Sequence, residues 1–144
     1  MKISSSAFAD GSAIPAKYTC DGSDTSPPLA FADSPSNAKS LALIIDDPDA
    51  PGGTFDHWIV WNIPANTTAI AEGKAPQGVA GKNGFGKNGY GGPCPPSGEH
   101  RYFFKLYALD TTLNLPAAST KSDLEKAMKG HTVGQAQMVG KYKR

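Results

Sequence analysis

The sequence is poor in cysteine, in net charge and in long apolar runs, and each scarcity excludes a class of protein. Two cysteines in 144 residues are too few for a small domain held together by disulfides, and they form no Cys-x-x-Cys motif. A formal net charge of +1 argues against binding nucleic acid by neutralising its phosphates. No segment could span a membrane, and the N-terminus lacks the apolar core of a signal peptide. We therefore expect a cytoplasmic protein, not embedded in a membrane, whose two cysteines are thiols.

Glycine and proline are abundant instead, with 16 and 12 residues, which predicts many turns and little helix. A length of 144 residues predicts one domain, residues 1–144,. Three β-rich runs, at 39–45, 57–63 and 101–109, predict the main strands, and 132–142 predicts a closing strand.

Finer features of these elements can also be predicted. Strict alternation in the second run would place His57, Ile59, Trp61 and Ile63 on one face,. One helix is expected late in the chain. It would begin with a capping box of Ser122 and Glu125, bury Leu124 and Met128, and stop at Gly130,.

Ionisable side chains stand where these strands begin or end. Asp47 and Asp49 follow the first strand in a proline turn, His57 opens the second, and His100 and Tyr102 open the third. A sheet that holds such residues at its edge can form a rigid pocket. The interleaved aromatic residues of the glycine-rich loop, Phe85 and Tyr90, would form the rim of this pocket.

Several kinds of site are compatible with these residue types. Two histidines and two carboxylates could hold zinc, although no His-x-x-x-His spacing supports a metal. Ser97 with His100 and an aspartate could form a hydrolytic triad, although the nucleophile elbow of Gly-x-Ser-x-Gly is missing,. Imidazoles, a phenol and glycine-loop N–H groups could bind an anion, with an aspartate orienting a histidine. The aspartates could also simply cap a turn.

The order of motifs along the chain resembles the phosphatidylethanolamine-binding protein family, in particular its prokaryotic branch similar to Raf kinase inhibitor proteins. The resemblance covers nearly the whole chain. It rests on Asp47-Pro48-Asp49-Ala50-Pro51, Asp56-His57-Trp58, Gly92-Pro93 and Gly98-Glu99-His100-Arg101-Tyr102. Tyr18-Thr19-Cys20-Asp21-Gly22, Ser26-Pro27-Pro28-Leu29 and Trp61-Asn62-Ile63-Pro64 are further shared motifs.

The resemblance implies a mainly β fold, in which a large antiparallel sheet packs on a smaller one with one or two short peripheral helices. It also implies one surface pocket for phosphate-like anions or phospholipid head groups. By matched motif position, the pocket residues would be Asp47, Asp49, His57, Pro93, His100 and Tyr102.

We therefore expect a binding protein without a metal, a cofactor or catalytic residues, whose partner is a small anion such as phosphate or phosphoethanolamine. Two alternatives stay open. The first is a protein inhibitor or scaffold that docks on a kinase or protease through an apolar patch at Trp58 or Phe85,. The second is a hydrolase that uses the Asp/His pocket. A homodimer is compatible with the predicted sheet edges.

Overall fold

Two antiparallel sheets form the framework of the computed structural model, which describes every residue from Met1 to Arg144. The strands are β1 (Lys2–Ser4), β2 (Leu29–Ala32), β3 (Ser40–Asp47), β4 (Phe55–Pro64), β5 (Ala69–Ile70), β6 (Val79–Ala80), β7 (Glu99–Leu109) and β8 (Thr132–Lys143). The small sheet has the order β1-β2-β5 and the large sheet β6-β4-β3-β7-β8. A 3-10 turn, Ala16–Tyr18, and one α-helix, α1 (Lys121–Met128), complete the regular structure. The predicted fold class is confirmed.

The large sheet buries both of its faces. Its central strand β3 is buried along its whole length, which explains why the sequence there is apolar rather than alternating. One face packs against the small sheet through the larger core cluster, which includes Leu43 and Phe31. The other face packs against α1 through a smaller cluster, which includes Ile44 and Leu124.

Helix α1 lies where the sequence predicts it, with Leu124 and Met128 buried. The predicted capping box of Ser122 and Glu125 is wrong, because the helix starts earlier. Thr120 is the N-cap, and its backbone N–H donates to Asp123 Oδ2 at 2.9 Å. Asp123 thus accepts the N–H of the N-cap residue, the role that was predicted for Glu125. None of the helices has the length and apolar character needed to cross a bilayer.

Strand β4 departs from strict alternation at two places. Adjacent residues of β3, Ile45 and Asp46, pair with Trp58 and Asp56, so His57 is an extra residue in β4. Likewise, β4 has two residues between Val60 and Ile63 where β3 has one between their partners. Asn62 has a φ of 56° within this second bulge. Each bulge reverses the parity of the side chains that follow it.

The predicted shared face of His57, Ile59, Trp61 and Ile63 is consequently wrong. Ile59 and Trp61 face α1, whereas Ile63 joins Trp58 in the core between the sheets. The imidazole of His57 packs on that same side, 5.2 Å from the ring of Tyr102 between centroids.

Candidate functional site

A cavity of about 200 Å³ opens at the edge of the large sheet where β3 ends and β4 and β7 begin. We call it the histidine cavity. Four polar side chains line it together with seven less polar residues. The lining residues are Asp47, His57, His100 and Tyr102, with Ala50, Pro51, Phe55, Phe85, Cys94, Pro95 and Pro96.

Asp47 and His100 form a buried pair in this cavity. His100 Nδ1 lies 2.7 Å from Asp47 Oδ2, and a carboxylate oxygen can only accept, so Nδ1 carries the proton,. The other carboxylate oxygen, Oδ1, accepts the backbone N–H of Asp49 at 2.7 Å. The aspartate therefore closes a turn and orients a histidine at once, which combines two alternatives that the sequence left separate. Nε2 of His100 has no protein partner.

His57 is held by the backbone of the glycine-rich loop. Its Nδ1–H donates to the carbonyl oxygen of Gly91 at 2.7 Å. Burial lowers the pKa of His57 below its ordinary value of 6.5, and the hydrogen bond to Gly91 opposes this only in part. The ring is thus neutral at pH 7, and its Nε2 is a hydrogen-bond acceptor. Burial therefore favours a hydrogen-bonding role for His57 over a charged one.

Tyr102 brings a phenol into the cavity wall. Its hydroxyl is buried and has no hydrogen-bond partner within the protein. Burial and, secondarily, the nearby Asp47 raise the pKa of Tyr102 well above its usual value of 10. The hydroxyl stays protonated at any physiological pH and can donate a hydrogen bond.

Aromatic side chains pack around the imidazole of His57. The ring of Phe55 lies 5.0 Å from it and that of Phe85 5.8 Å, both between centroids. Phe85 is 47% exposed and is the one large hydrophobic side chain that is exposed. Its ring is part of the lining of the cavity.

Three of the predicted site residues do not line the cavity. Asp49 binds the side chain of Arg101, with Nε–Oδ2 at 2.9 Å and Nη2–Oδ1 at 2.8 Å, and these hydrogen bonds lower the pKa of Asp49 to about 2. The buried Pro93 accepts the backbone N–H of Cys20 through its carbonyl. Tyr90 turns inward, and its hydroxyl donates to the carbonyl of Tyr18 at 2.7 Å. All three hold loops in place around the cavity.

Six lining residues were missed from the sequence. Phe55 precedes His57 by two positions on one strand, so an aromatic near the imidazole could have been expected there. Ala50 and Pro51 belong to a turn whose aspartates were already noted. Cys94, Pro95 and Pro96 lie in a loop, and sequence spacing carries no signal for what a loop covers.

The two cysteines form a disulfide, Cys20–Cys94, across 74 positions of sequence. The prediction of two thiols is wrong. The hydrogen bond from Cys20 N–H to the Pro93 carbonyl, at 3.1 Å, runs alongside the disulfide. This contact is tertiary, and the spacing of the cysteines gives no sign of it.

The catalytic arrangements that the sequence left open do not assemble. Ser97 is exposed, and no hydrogen bond joins its side chain to either histidine of the cavity. Nowhere do three or more His, Cys, Asp or Glu side chains converge as a group that could hold a metal ion.

Comparison with known proteins decides the family. Residues 4–143 match the family model of the phosphatidylethanolamine-binding proteins. The chain belongs to this family. The resemblance noted in the motifs is thereby confirmed.

Three prokaryotic relatives match this chain over nearly their whole length. A UPF0098 protein of Methanothermobacter thermautotrophicus is 51% identical, with 100% of this chain and 99% of the relative covered. Among solved structures, the phosphatidylethanolamine-binding protein homologue CT736 of Chlamydia trachomatis has a TM-score of 0.96 at 44% identity, covering 99% and 97%. YbcL of E. coli, a member of the mammalian PEBP family, has a TM-score of 0.92 at 32% identity, covering 99% and 98%.

Proposed function

We propose that the protein binds a small phosphate-bearing anion in the histidine cavity. The observation that carries this proposal is the buried hydroxyl of Tyr102, which no protein group satisfies. A buried polar group without a partner costs about 1–3 kcal/mol, and native proteins retain few of them without a reason. An oxygen of a bound anion would accept this hydrogen bond.

The two imidazoles would add complementary contacts. Asp47 holds the proton on Nδ1 of His100, so a protonated ring would direct a second donor, Nε2–H, away from the carboxylate. His57 is neutral and offers a lone pair on Nε2. The preferred ligand therefore has acceptor oxygens and at least one donor. A protonated phosphate and phosphoethanolamine, whose ammonium is a donor, both meet this description.

The size of the cavity limits the ligand to a head group. Pockets for drug-sized ligands usually measure about 300–1,000 Å³, whereas this cavity measures about 200 Å³. A phosphate or phosphoethanolamine group would fit, and the acyl chains of a lipid would remain outside. The same chemistry can come from a soluble phosphate compound or from a phospholipid.

Calorimetric titration with inorganic phosphate and with phosphoethanolamine tests the proposal. Tyr102→Phe should weaken binding about tenfold or more, since a hydrogen bond to a charged group contributes about 1.5–3 kcal/mol. Tyr107→Phe is the matched control, because Tyr107 lies on the same strand but packs on the α1 side of the sheet. No heat at millimolar ligand, or equal affinities of the two variants, would refute the proposal.

Sedimentation with phosphatidylethanolamine vesicles separates the two sources of the ligand. Binding that phosphoethanolamine displaces would identify the lipid head group. Binding of the free compounds without binding of vesicles would identify a soluble phosphate compound. Phosphatidylcholine vesicles control for nonspecific adsorption, since their quaternary ammonium cannot donate to His57.

The alternatives have less support. Docking on a kinase or protease required an apolar patch at Trp58 or Phe85, but Trp58 is 2% exposed and Phe85 stands alone. Single exposed apolar residues are normal on monomeric proteins. The serine considered for a hydrolytic triad, Ser97, is exposed and makes no hydrogen bond to either histidine of the cavity. We accordingly propose binding rather than turnover.

A further inference from the structure

The disulfide Cys20–Cys94 belongs to the boundary of the histidine cavity. Cys94, Pro95 and Pro96 line one side of the cavity, and we call these three residues the proline wall. The disulfide connects this wall to the segment that follows the 3-10 turn. Both cysteines are exposed, so a reductant in solution can reach the bond.

Backbone hydrogen bonds do not hold the proline wall. Its flanks are fixed, because the Pro93 carbonyl accepts from Cys20 N–H and Gly98 exchanges two hydrogen bonds with Arg144, all at 3.1 Å. Between these flanks, residues 94–97 make no backbone hydrogen bond, and the two prolines have no N–H to donate. The wall itself is held by the disulfide at Cys94 and by the packing of Pro95, which is buried.

A cation lies beside the two sulfur atoms. Nη1 of Arg144 is 3.5 Å from Cys94 Sγ and 3.9 Å from Cys20 Sγ. The same guanidinium binds Asp21 through Nη2 at 3.2 Å, and Asp21 also accepts from the Tyr142 hydroxyl. A guanidinium next to a sulfur stabilises the thiolate that leaves when a disulfide is attacked. The nearer sulfur, that of Cys94, is the better placed leaving group.

We propose that Cys20–Cys94 is a site of thiol–disulfide exchange, through which a dithiol reductant weakens anion binding in the histidine cavity. This inference rests on the proposed function. Structural disulfides resist reduction, whereas exposed ones are more often labile, regulatory or catalytic. The bond is exposed, beside a cation, and part of a ligand cavity.

The exchange proceeds in two steps. A thiolate of the reductant attacks Cys20 Sγ, so a mixed disulfide forms and Cys94 leaves as a thiolate beside Arg144. The second thiol of the reductant then attacks the reductant's other sulfur atom, the one bonded to Cys20 in the mixed disulfide. This attack releases Cys20. The reductant is oxidised to a disulfide, and its two electrons and two protons end on the two cysteine thiols.

Reduction removes the cross-link at Cys94, so only the flanks and the packing of Pro95 still hold the proline wall. The wall then samples positions that do not close the cavity, and the apparent affinity falls with the fraction of time that it is in place. A wall in place about a tenth of the time would weaken binding about tenfold.

The test compares phosphate titrations of the oxidised chain and of the chain reduced with dithiothreitol, with thiols counted by alkylation and mass spectrometry. We expect two thiols released under native conditions and binding weakened about tenfold, while the circular dichroism spectrum stays native. Equal affinity in the two states, or no thiol released without denaturant, would overturn the inference. Absence of phosphate binding in the oxidised chain would instead overturn the proposed function, and the control of binding with it.

Two variants keep the test decisive. The double variant Cys20→Ser/Cys94→Ser should bind phosphate as weakly as the reduced chain, and dithiothreitol should not change its affinity. A further change on adding dithiothreitol would show that the effect does not come from this bond. Arg144→Gln keeps the disulfide and should slow thiol release several-fold, a readout that requires neither a ligand nor a reduced chain that stays folded. Unchanged release would contradict the role of the cation.

Discussion

Asp46 and Asp47 are neighbours in sequence at the end of β3, yet the two faces of the sheet use them differently. Asp46 points toward α1, where Oδ2 lies 3.0 Å from Lys105 Nζ and 3.1 Å from Lys121 Nζ. Lys121 also binds Asp56 at 2.9 Å. Asp47 points toward the core between the sheets, where His100 is its one ionisable partner.

The difference lies in whether the charged and polar side chains of each cluster are paired with one another. On the α1 side, two carboxylates face two ammonium groups, so the charges balance within the protein. On the cavity side, Nε2 of His57 and of His100 and the hydroxyl of Tyr102 lack protein partners. Paired charges stabilise the fold, whereas unpaired polar groups that line a cavity can bind a ligand. The buried Nε1 of Trp61 on the α1 side also lacks a hydrogen-bond partner, but Trp61 does not line the histidine cavity. Substitutions on the two sides should therefore affect different properties.

The largest effect is expected on the α1 side, from Asp46→Ala. This change leaves Lys105 and Lys121 without their shared carboxylate at a buried position, and breaking a buried ion pair from one side costs about 3–5 kcal/mol. We expect a loss of stability of about 3 kcal/mol, because the side chain of Lys105 is 30% exposed and water can solvate part of its charge. Chemical denaturation measures this loss of stability. Phosphate affinity should stay within about twofold of wild type, which is much less than a tenfold change, or about 1.4 kcal/mol. A large loss of affinity would show that the two faces are coupled.

His100→Asn should produce the largest effect on the cavity side. The asparagine amide can still donate to Asp47 in place of Nδ1, but Nε2 is removed from the cavity. Phosphate affinity should fall roughly 10- to 100-fold, as expected for the loss of a charge-assisted hydrogen bond. Calorimetry measures this loss, and unfolding should show a stability close to wild type. Undiminished binding would exclude His100 from the site.

A third prediction concerns pH and the free protein. The pKa of His57 is lower in the folded chain than its unfolded value of 6.5, so the unfolded chain binds more protons between the two values. The contribution of neutral His57 to the free energy of unfolding is therefore fully present above about pH 7. It is lost as the pH drops through 6.5 toward the folded pKa,. Over that interval the free energy of unfolding should decrease by about 1.4 kcal/mol for each pH unit.

His57→Gln is the control for this pH dependence, because its amide can donate to Gly91 but does not titrate. Denaturation curves collected from pH 7.5 down to pH 5 should show a smaller slope for the variant than for wild type. Identical slopes would mean that another group is responsible.

The smallest effect is expected for the stability of Tyr102→Phe. Removing a buried hydroxyl that has no partner relieves its desolvation cost, so the free variant should be as stable as wild type or more stable by up to about 1 kcal/mol. Thermal unfolding without ligand measures this. A loss of more than about 1 kcal/mol would show that the hydroxyl already has a partner in the free protein, and the observation behind the proposed function would fail.

Much of the fold could be predicted because its signals are local. Strands β3, β4 and β7 are continuous β-rich runs, and α1 is marked by Leu124, Met128 and a glycine stop. The polar residues at the strand ends could be found for the same reason. Asp47, His57, His100 and Tyr102 all line one cavity, since antiparallel neighbours bring the end of one strand beside the start of the next.

The remainder depends on contacts between distant residues. The side of the sheet on which His57 lies is set by a bulge in the pairing of β4 with β3. A rule of strict alternation along one strand cannot detect such a bulge. The bond between Cys20 and Cys94 spans 74 positions. Asp49 is separated from the cavity by its pairing with Arg101.

The sequence by itself thus determined the family, the β-rich elements and the ionisable residues near the site, because each is encoded in a short stretch of chain. The tertiary structure decided which of those residues meet and which stay without a partner. Asp46 and Asp47 illustrate the reason. They are the same residue type in adjacent positions, and only the groups packed opposite each face give one a structural ion pair and the other a place in a cavity.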